Sequence, residues 1–150
     1  MNGIGTNVFA PEKGLTRAEL VKVVCIAADL KVESGATPFK DVADSSWYAP
    51  YVAAAYNSGI INGITAETFA PDEKVSRQDL CVILYRAMKN KLSGNKEFTD
   101  SSEIASYAKE AIGCFAGLGI VNGFEDGSFR PNDGCTRAQC AKIIYMFIQQ

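Results

Sequence analysis

The strongest constraint on this chain is that it writes one passage three times. "NGIGTNVFAPEKGLTRAEL" runs from Asn2, "NGITAETFAPDEKVSRQDL" from Asn62 and "NGFEDGSFRPNDGCTRAQC" from Asn122. Phe9, Phe69 and Phe129 keep the same interval, as do Pro11, Pro71 and Pro131, and Arg17, Arg77 and Arg137. Recurrence at this length means one supersecondary unit repeated, each copy burying its apolar face against the next. A second element precedes the passage in two copies, "FKDVADSSWYAPYVAAAYNSGI" from Phe39 and "FTDSSEIASYAKEAIGCFAGLGI" from Phe98. Aligned back from Gly59 and Gly119, Trp47 corresponds to Tyr107. No equivalent precedes Asn2. The expected organisation is therefore a partial first repeat over 1–38, a second over 39–97 and a third over 98–150.

Each full unit reads as a shorter helix, a stiff loop and a longer helix. Ser46 and Ser102 are the expected caps of the shorter helices, which end at Gly59 and Gly119. Asn-Gly and Phe-x-Pro give the loop its turn and a fixed-φ step, with each Phe as an anchor in the core. The longer helices start at Thr16, Ser76 and Thr136, with Glu19, Asp79 and Gln139 three positions on. Leu20, Val23, Val24 and Ala27 form an apolar face that Val21 and Cys25 widen, and the later copies repeat it. So wide an apolar arc packs against several neighbours. The expected fold is all-α: a pseudo-threefold bundle of three longer helices, with lobes of shorter helices and loops around it.

Residue content narrows the chemistry. The chain has no histidine, which removes the commonest general base, nucleophile partner and zinc ligand. A net charge of −2 gives no support for nucleic-acid binding, and no apolar run approaches the length of a membrane span. The start, "MNGIGTNVF", lacks the charged and apolar regions of a signal peptide. All five cysteines stand where another copy has an apolar or small residue. Buried free thiols are the expectation, a local Cys135–Cys140 disulfide stays open, and no metal site or cofactor is expected.

The three arginines fit folding least well. Each occupies the first helical position, where the helix dipole disfavours a cation. Two readings stand side by side. Each Arg pairs with an acid of its own or a neighbouring repeat, with Asp41 and Asp100 as candidates, or each joins free helix N–H groups in an anion site for a carboxylate or phosphate.

"FKDV" with Trp47, "YVAAAYNSGIING", "FAP" and "TRAE" together resemble the surface-layer homology (SLH) domain of bacterial cell-surface proteins, across almost the whole chain. The resemblance implies a three-lobed, non-catalytic module anchoring proteins to secondary cell wall polysaccharide of Gram-positive cells, often through a pyruvylated sugar. It implies ligand contacts from Arg17, Arg77, Arg137, Asp41, Asp100, Trp47, Tyr107, Gly3, Gly63 and Gly123, in grooves between adjacent lobes. Secretion to the cell surface comes with it. The missing half of repeat one leaves two usable grooves as the expectation, with Arg77 foremost. The apolar seam it exposes favours a homodimer that completes the truncated repeat. A self-assembly module of a surface layer is the alternative. A paired-carboxylate glycosidase ranks third, since no such pair recurs.

Overall fold

The computed structural model describes residues 10–88 and 94–149. Five α-helices follow in order: α1 (Arg17–Ala27), α2 (Ala49–Asn57), α3 (Arg77–Ala87), α4 (Lys109–Gly117) and α5 (Arg137–Ile148), with a 3-10 turn at Ser106–Ala108 before α4. Among the described residues, extended backbone pairs only in isolated bridges, and no helix is long and apolar enough to cross a membrane. The fold is the all-α arrangement expected from the sequence. Long helices α1, α3 and α5 supply the centre, with α3 packed on both others. Short helices α2 and α4 lie against α1 and α3.

The long helices start as their sequences dictate. Thr16 and Thr136 complete reciprocal capping boxes with Glu19 and Gln139, and the Ser76 hydroxyl accepts from the Asp79 amide. What precedes each cap ties the units together. Leu15 N donates to Cys135 O at 3.2 Å, Cys135 N to Val75 O at 3.3 Å, and Val75 N to Leu15 O at 2.9 Å. Three residues sixty apart thus close a ring of main-chain hydrogen bonds around the pseudo-threefold axis. The next two amides of every long helix also leave their own unit. Arg17 N and Ala18 N reach Glu73 O and Pro71 O; Arg77 N and Gln78 N reach Asp133 O and Pro131 O; Arg137 N and Ala138 N reach Lys13 O and Pro11 O. Helix amides that lack an intrahelical partner are satisfied by the neighbouring unit's loop.

Those loops carry strain that the sequence does not advertise. Ala10, Ala70 and Arg130, between Phe and Pro in each copy, sit at φ of 50°, 57° and 57°. A left-handed non-glycine residue costs about 1–2 kcal/mol. Asp41 offsets that cost in the second unit, its two carboxylate oxygens accepting from Phe69 N at 2.9 Å and Ala70 N at 2.7 Å. Asp100 does the same for Phe129 N and Arg130 N at 2.8 and 2.7 Å. Below the loops, Phe69 and Phe129 are fully buried and meet Phe39 and Phe98 ring to ring. Each such ring contributes about 1.5–3 kcal/mol by burial.

One expectation fails. Ser46 and Ser102 do not cap the short helices, which start later: α2 after Tyr48, with Pro50 in its first turn, and α4 after Ala108. Proline's fixed φ and missing N–H suit the first turn, so α2 needs no side-chain cap there. The C-terminal expectation holds, with Gly59 and Gly119 at φ of 72° and 71° just past their helices. All five cysteines are free and buried, as apolar replacements should be.

Replacing Asp41 by Ala leaves two loop amides, one of them on a left-handed alanine, without their carboxylate. A loss of about 2–3 kcal/mol is expected in urea unfolding, with Asp41→Asn intermediate because it retains one acceptor.

Candidate functional site

The N-terminal position that makes a cation unfavourable on an isolated helix also aims it at the next unit. Arg17 donates from Nε to Phe69 O at 2.8 Å and from Nη1 to Asp79 Oδ2 at 3.2 Å, its guanidinium 5.1 Å from the Phe69 ring centre. Arg137 pairs from Nη1 with Glu19 Oε1 at 3.1 Å. Arg77 repeats the first contact, Nε to Phe129 O at 2.9 Å. The three are 7, 8 and 2 % exposed for Arg17, Arg77 and Arg137. Each is a bolt between units, and a dispersed guanidinium with an apolar stem suits that position better than lysine.

Two expectations are corrected here. Asp41 and Asp100 do not pair with the arginines, because both carboxylates are occupied by loop amides. The acids that do pair, Asp79 and Glu19, are the third helical residues of the following unit, read in the sequence only as caps. Nor are the helix amides beside the arginines free, since the neighbouring loop carbonyls take them. The feature that could have identified Asp79 and Glu19 is the closed threefold order, in which the first helical residue of one copy faces the third of the next.

That order also explains why Arg77 differs. Its counterpart acid is replaced by Gln139, and among the described residues it forms no ion pair. Aromatic faces substitute. Its guanidinium lies 4.9 Å from both the Phe124 and Phe129 ring centres, and Arg130 stacks on Phe124 at 3.9 Å. Phe124 thus stacks on Arg77, where its counterpart in unit two, Ile64, lines a groove with Arg17. Such cation–π contacts contribute about 0.5–2 kcal/mol each.

Around Arg17 the geometry opens into a groove of about 490 Å³ drawing on all three units. Arg17 comes from the first, Asn62, Gly63 and Ile64 from the second unit's turn, and Lys74, Ser76, Asp79 and Arg86 from its loop and α3. Tyr107 closes it from the third unit, 56 % exposed, its hydroxyl donating to Asp79 Oδ1 at 2.9 Å. Partial desolvation and then that hydrogen bond push the Tyr107 phenol up to about 12. One carboxylate therefore holds Tyr107 and Arg17 in place together. Gly63 is fixed by backbone needs: its φ is 80°, and a Cβ would stand 2.6 Å from Thr65 O.

The remaining predicted residues are distributed elsewhere. Trp47, 54 % exposed, stands beside α1, with the Lys22 ammonium 5.6 Å from its ring. Lys22 is one turn from Glu19 on α1, so Trp47 and the Arg137–Glu19 pair border α1 as Tyr107 and the Arg17–Asp79 pair border α3. Gly123 takes φ of 76° against Phe98, as Gly63 does against Phe39. Gly3 lies outside the described residues. The structure thus brings Arg17, Gly63 and Tyr107 together, sets Trp47 on the Arg137 side, and leaves Asp41 and Asp100 as loop braces.

Replacing Gln139 by Glu supplies Arg77 with the carboxylate its counterparts have. Stability is expected to rise by about 0.5–1 kcal/mol in thermal melts, with the gain shrinking at high salt.

Comparison with known proteins follows the same division. The S-layer homology domain model matches residues 38–81 and 97–141, the two units that carry both helices. The chain is 31 % identical to an amylopullulanase of Thermoanaerobacterium thermosulfurigenes, covering 100 % of this chain and 8 % of that protein. It is 33 % identical to an endoglucanase of Bacillus sp. (strain KSM-635), over 96 % of this chain and 16 % of the relative. Against the surface-layer 125 kDa protein of Lysinibacillus sphaericus the identity is 30 %, over 99 % and 13 %. The chain therefore spans only a small part of these relatives' length, in enzymes and in a surface-layer protein alike. On its repeats, its fold and this match, the chain belongs to the S-layer homology domain family.

Proposed function

We propose that the chain is a non-catalytic anchor that holds secondary cell wall polysaccharide, with the Arg17 groove receiving a pyruvylated sugar. Cell-wall and surface-layer association rests on the family itself, and on relatives whose names include surface-layer proteins. The choice of ligand rests on one observation above all: a half-open groove where Arg17, Lys74 and Arg86 meet Tyr107 and a turn of main chain. Nε and Nη1 of Arg17 are held by Phe69 O and Asp79, which leaves Nη2 to meet a ligand carboxylate. Tyr107 supplies an aromatic face for the sugar ring, and Asn62 and Ser76 supply polar partners for hydroxyls. Arg77, foremost from the sequence, ranks below Arg17 because its guanidinium face is taken by Phe124 and no carboxylate among the described residues orients it, whereas Asp79 fixes Arg17 in the groove wall.

Calorimetric titration with purified pyruvylated wall polysaccharide tests this reading, with the chemically depyruvylated polymer as control. The pyruvylated form should bind, more weakly at high salt, and Arg17→Lys should weaken it roughly tenfold or more, about 1.4 kcal/mol. Equal binding of both polymers, or indifference to Arg17→Lys, would refute the groove assignment.

A second reading is carried by the outer face of α5. The corresponding faces of α1 and α3 are covered by α2 and α4, burying Val21 and Cys25, then Cys81 and Tyr85. On α5 the equivalent Tyr145 is 66 % exposed, with Ile148 also bare. A homodimer formed through this face serves self-assembly without excluding anchorage. Sedimentation should show mass rising with concentration, and Tyr145→Glu should return the chain to monomer. A monomer at every concentration removes this reading.

A further inference from the structure

The hydrophobic contact that fixes each long helix start is made by the residue before the cap and the fourth helical residue. In the first unit these are Leu15 and Leu20, in the second Val75 and Leu80, and all four are fully buried. In the third unit both are thiols, Cys135 and Cys140, equally buried and free. Nothing in the anchoring function requires cysteine there, since aliphatic pairs do the same packing twice in this chain.

The pair is also unusually placed. Cys135 is one corner of the main-chain ring at the pseudo-threefold axis, bonded through N to Val75 O and through O to Leu15 N. Cys140 follows in the first turns of α5, its own amide bonded to Thr136 O. The two thiols occupy together the buried positions that Val75 and Leu80 hold, close enough that each shifts the other's ionisation, and Arg77 bears on both. That contact with Cys140 and the Arg77 charge hold the Cys135 thiol below its ordinary value, while Cys140 is pushed up. Cys81 on α3 neighbours Cys135 as a third sulfur. Metal binding does not account for them, because among the described residues no group of three or more His, Cys, Asp or Glu is arranged to hold an ion.

We propose that Cys135 and Cys140 form a modification site, joined as an intramolecular disulfide by exchange with a low-molecular-weight disulfide. The Cys135 thiolate attacks one sulfur of RS–SR, forming a mixed disulfide and releasing RS⁻. The Cys140 sulfur, losing its proton, attacks Cys135 and releases the second RS⁻. The two cysteine protons end on two RSH, so one external disulfide is reduced as one internal disulfide forms. Burial means that exchange follows opening of the α5 start, and reclosure then brings the sulfurs back together. The product locks the helix start beside the main-chain ring. Outside the cell, where cytosolic reducing systems are absent, such a bond persists.

The whole chain, held folded in oxidised glutathione at mildly alkaline pH and then alkylated, reports on this directly. Intact mass before alkylation should fall by about 2 Da, the two hydrogens lost on oxidation. Proteolysis after Arg137 separates the two cysteines, so the bond appears as a cross-linked peptide pair containing Cys135 and Cys140. The thermal midpoint should rise by roughly a few degrees and return on reduction. The double variant Cys135→Val, Cys140→Leu restores the pair found at Val75 and Leu80, and should show neither the mass loss nor the redox-dependent midpoint. A fully alkylatable wild type, a lasting glutathione adduct, a Cys81–Cys135 cross-link, or mass loss in the double variant would each overturn the proposal.

Discussion

Three main-chain hydrogen bonds, Leu15 to Cys135, Cys135 to Val75 and Val75 to Leu15, close the molecule on itself, and most of its other features depend on them. A ring of this kind forms only when three equivalent strands of backbone converge at one axis. Convergence brings three helix N-termini together, each with amides that need acceptors. The neighbouring loops provide these, but only if the chain turns sharply between Phe and Pro. That turn forces Ala10, Ala70 and Arg130 into the left-handed region. In the second and third units, Asp41 and Asp100 hold that turn through two amides each. Closure and loop strain are one constraint seen at two distances.

The arginines follow from the same convergence. Three positive helix ends near one axis repel one another, and a cation at each first position adds to the burden. Directing each guanidinium to the next unit relieves it, through a carbonyl and an aromatic face for Arg17 and Arg77, and a carboxylate for Arg17 and Arg137. At Arg17 the interaction that stabilises the unit boundary also places a fixed guanidinium in the wall of the groove shared by the three units. A groove built on such boundary contacts is held rigid by the fold itself, and a preorganised wall lowers the entropic cost of any binding there.

Divergence between the copies shows how small changes redirect one scaffold. Gln139 in place of an acid removes the ion pair from Arg77, and Phe124 in place of Ile64 stacks on it. Tyr107 in place of Trp47 brings a hydroxyl that reaches Asp79, tying the aromatic wall to the Arg17 pair. Nothing in the local sequence around Tyr107 marks that contact, because Asp79 belongs to the previous unit. The loop role of Asp41 was hidden for a related reason. Its partners, Phe69 and Ala70, lie 28 and 29 residues on, and the strained φ that requires it is carried by an ordinary alanine.

The sequence by itself determined the repeat, the all-α class, the capped starts of α1, α3 and α5, the glycine ends of the short helices and the burial of the cysteines. These are local or periodic properties, set by capping chemistry, side-chain spacing and substitution between copies. Only the tertiary structure decided which acid meets which arginine, that the helix amides are already occupied, and that Arg17 lines a groove drawing on all three units. Those outcomes depend on how the three units close around one axis. Periodicity shows that units are alike; it does not show which face of one meets which residue of the next.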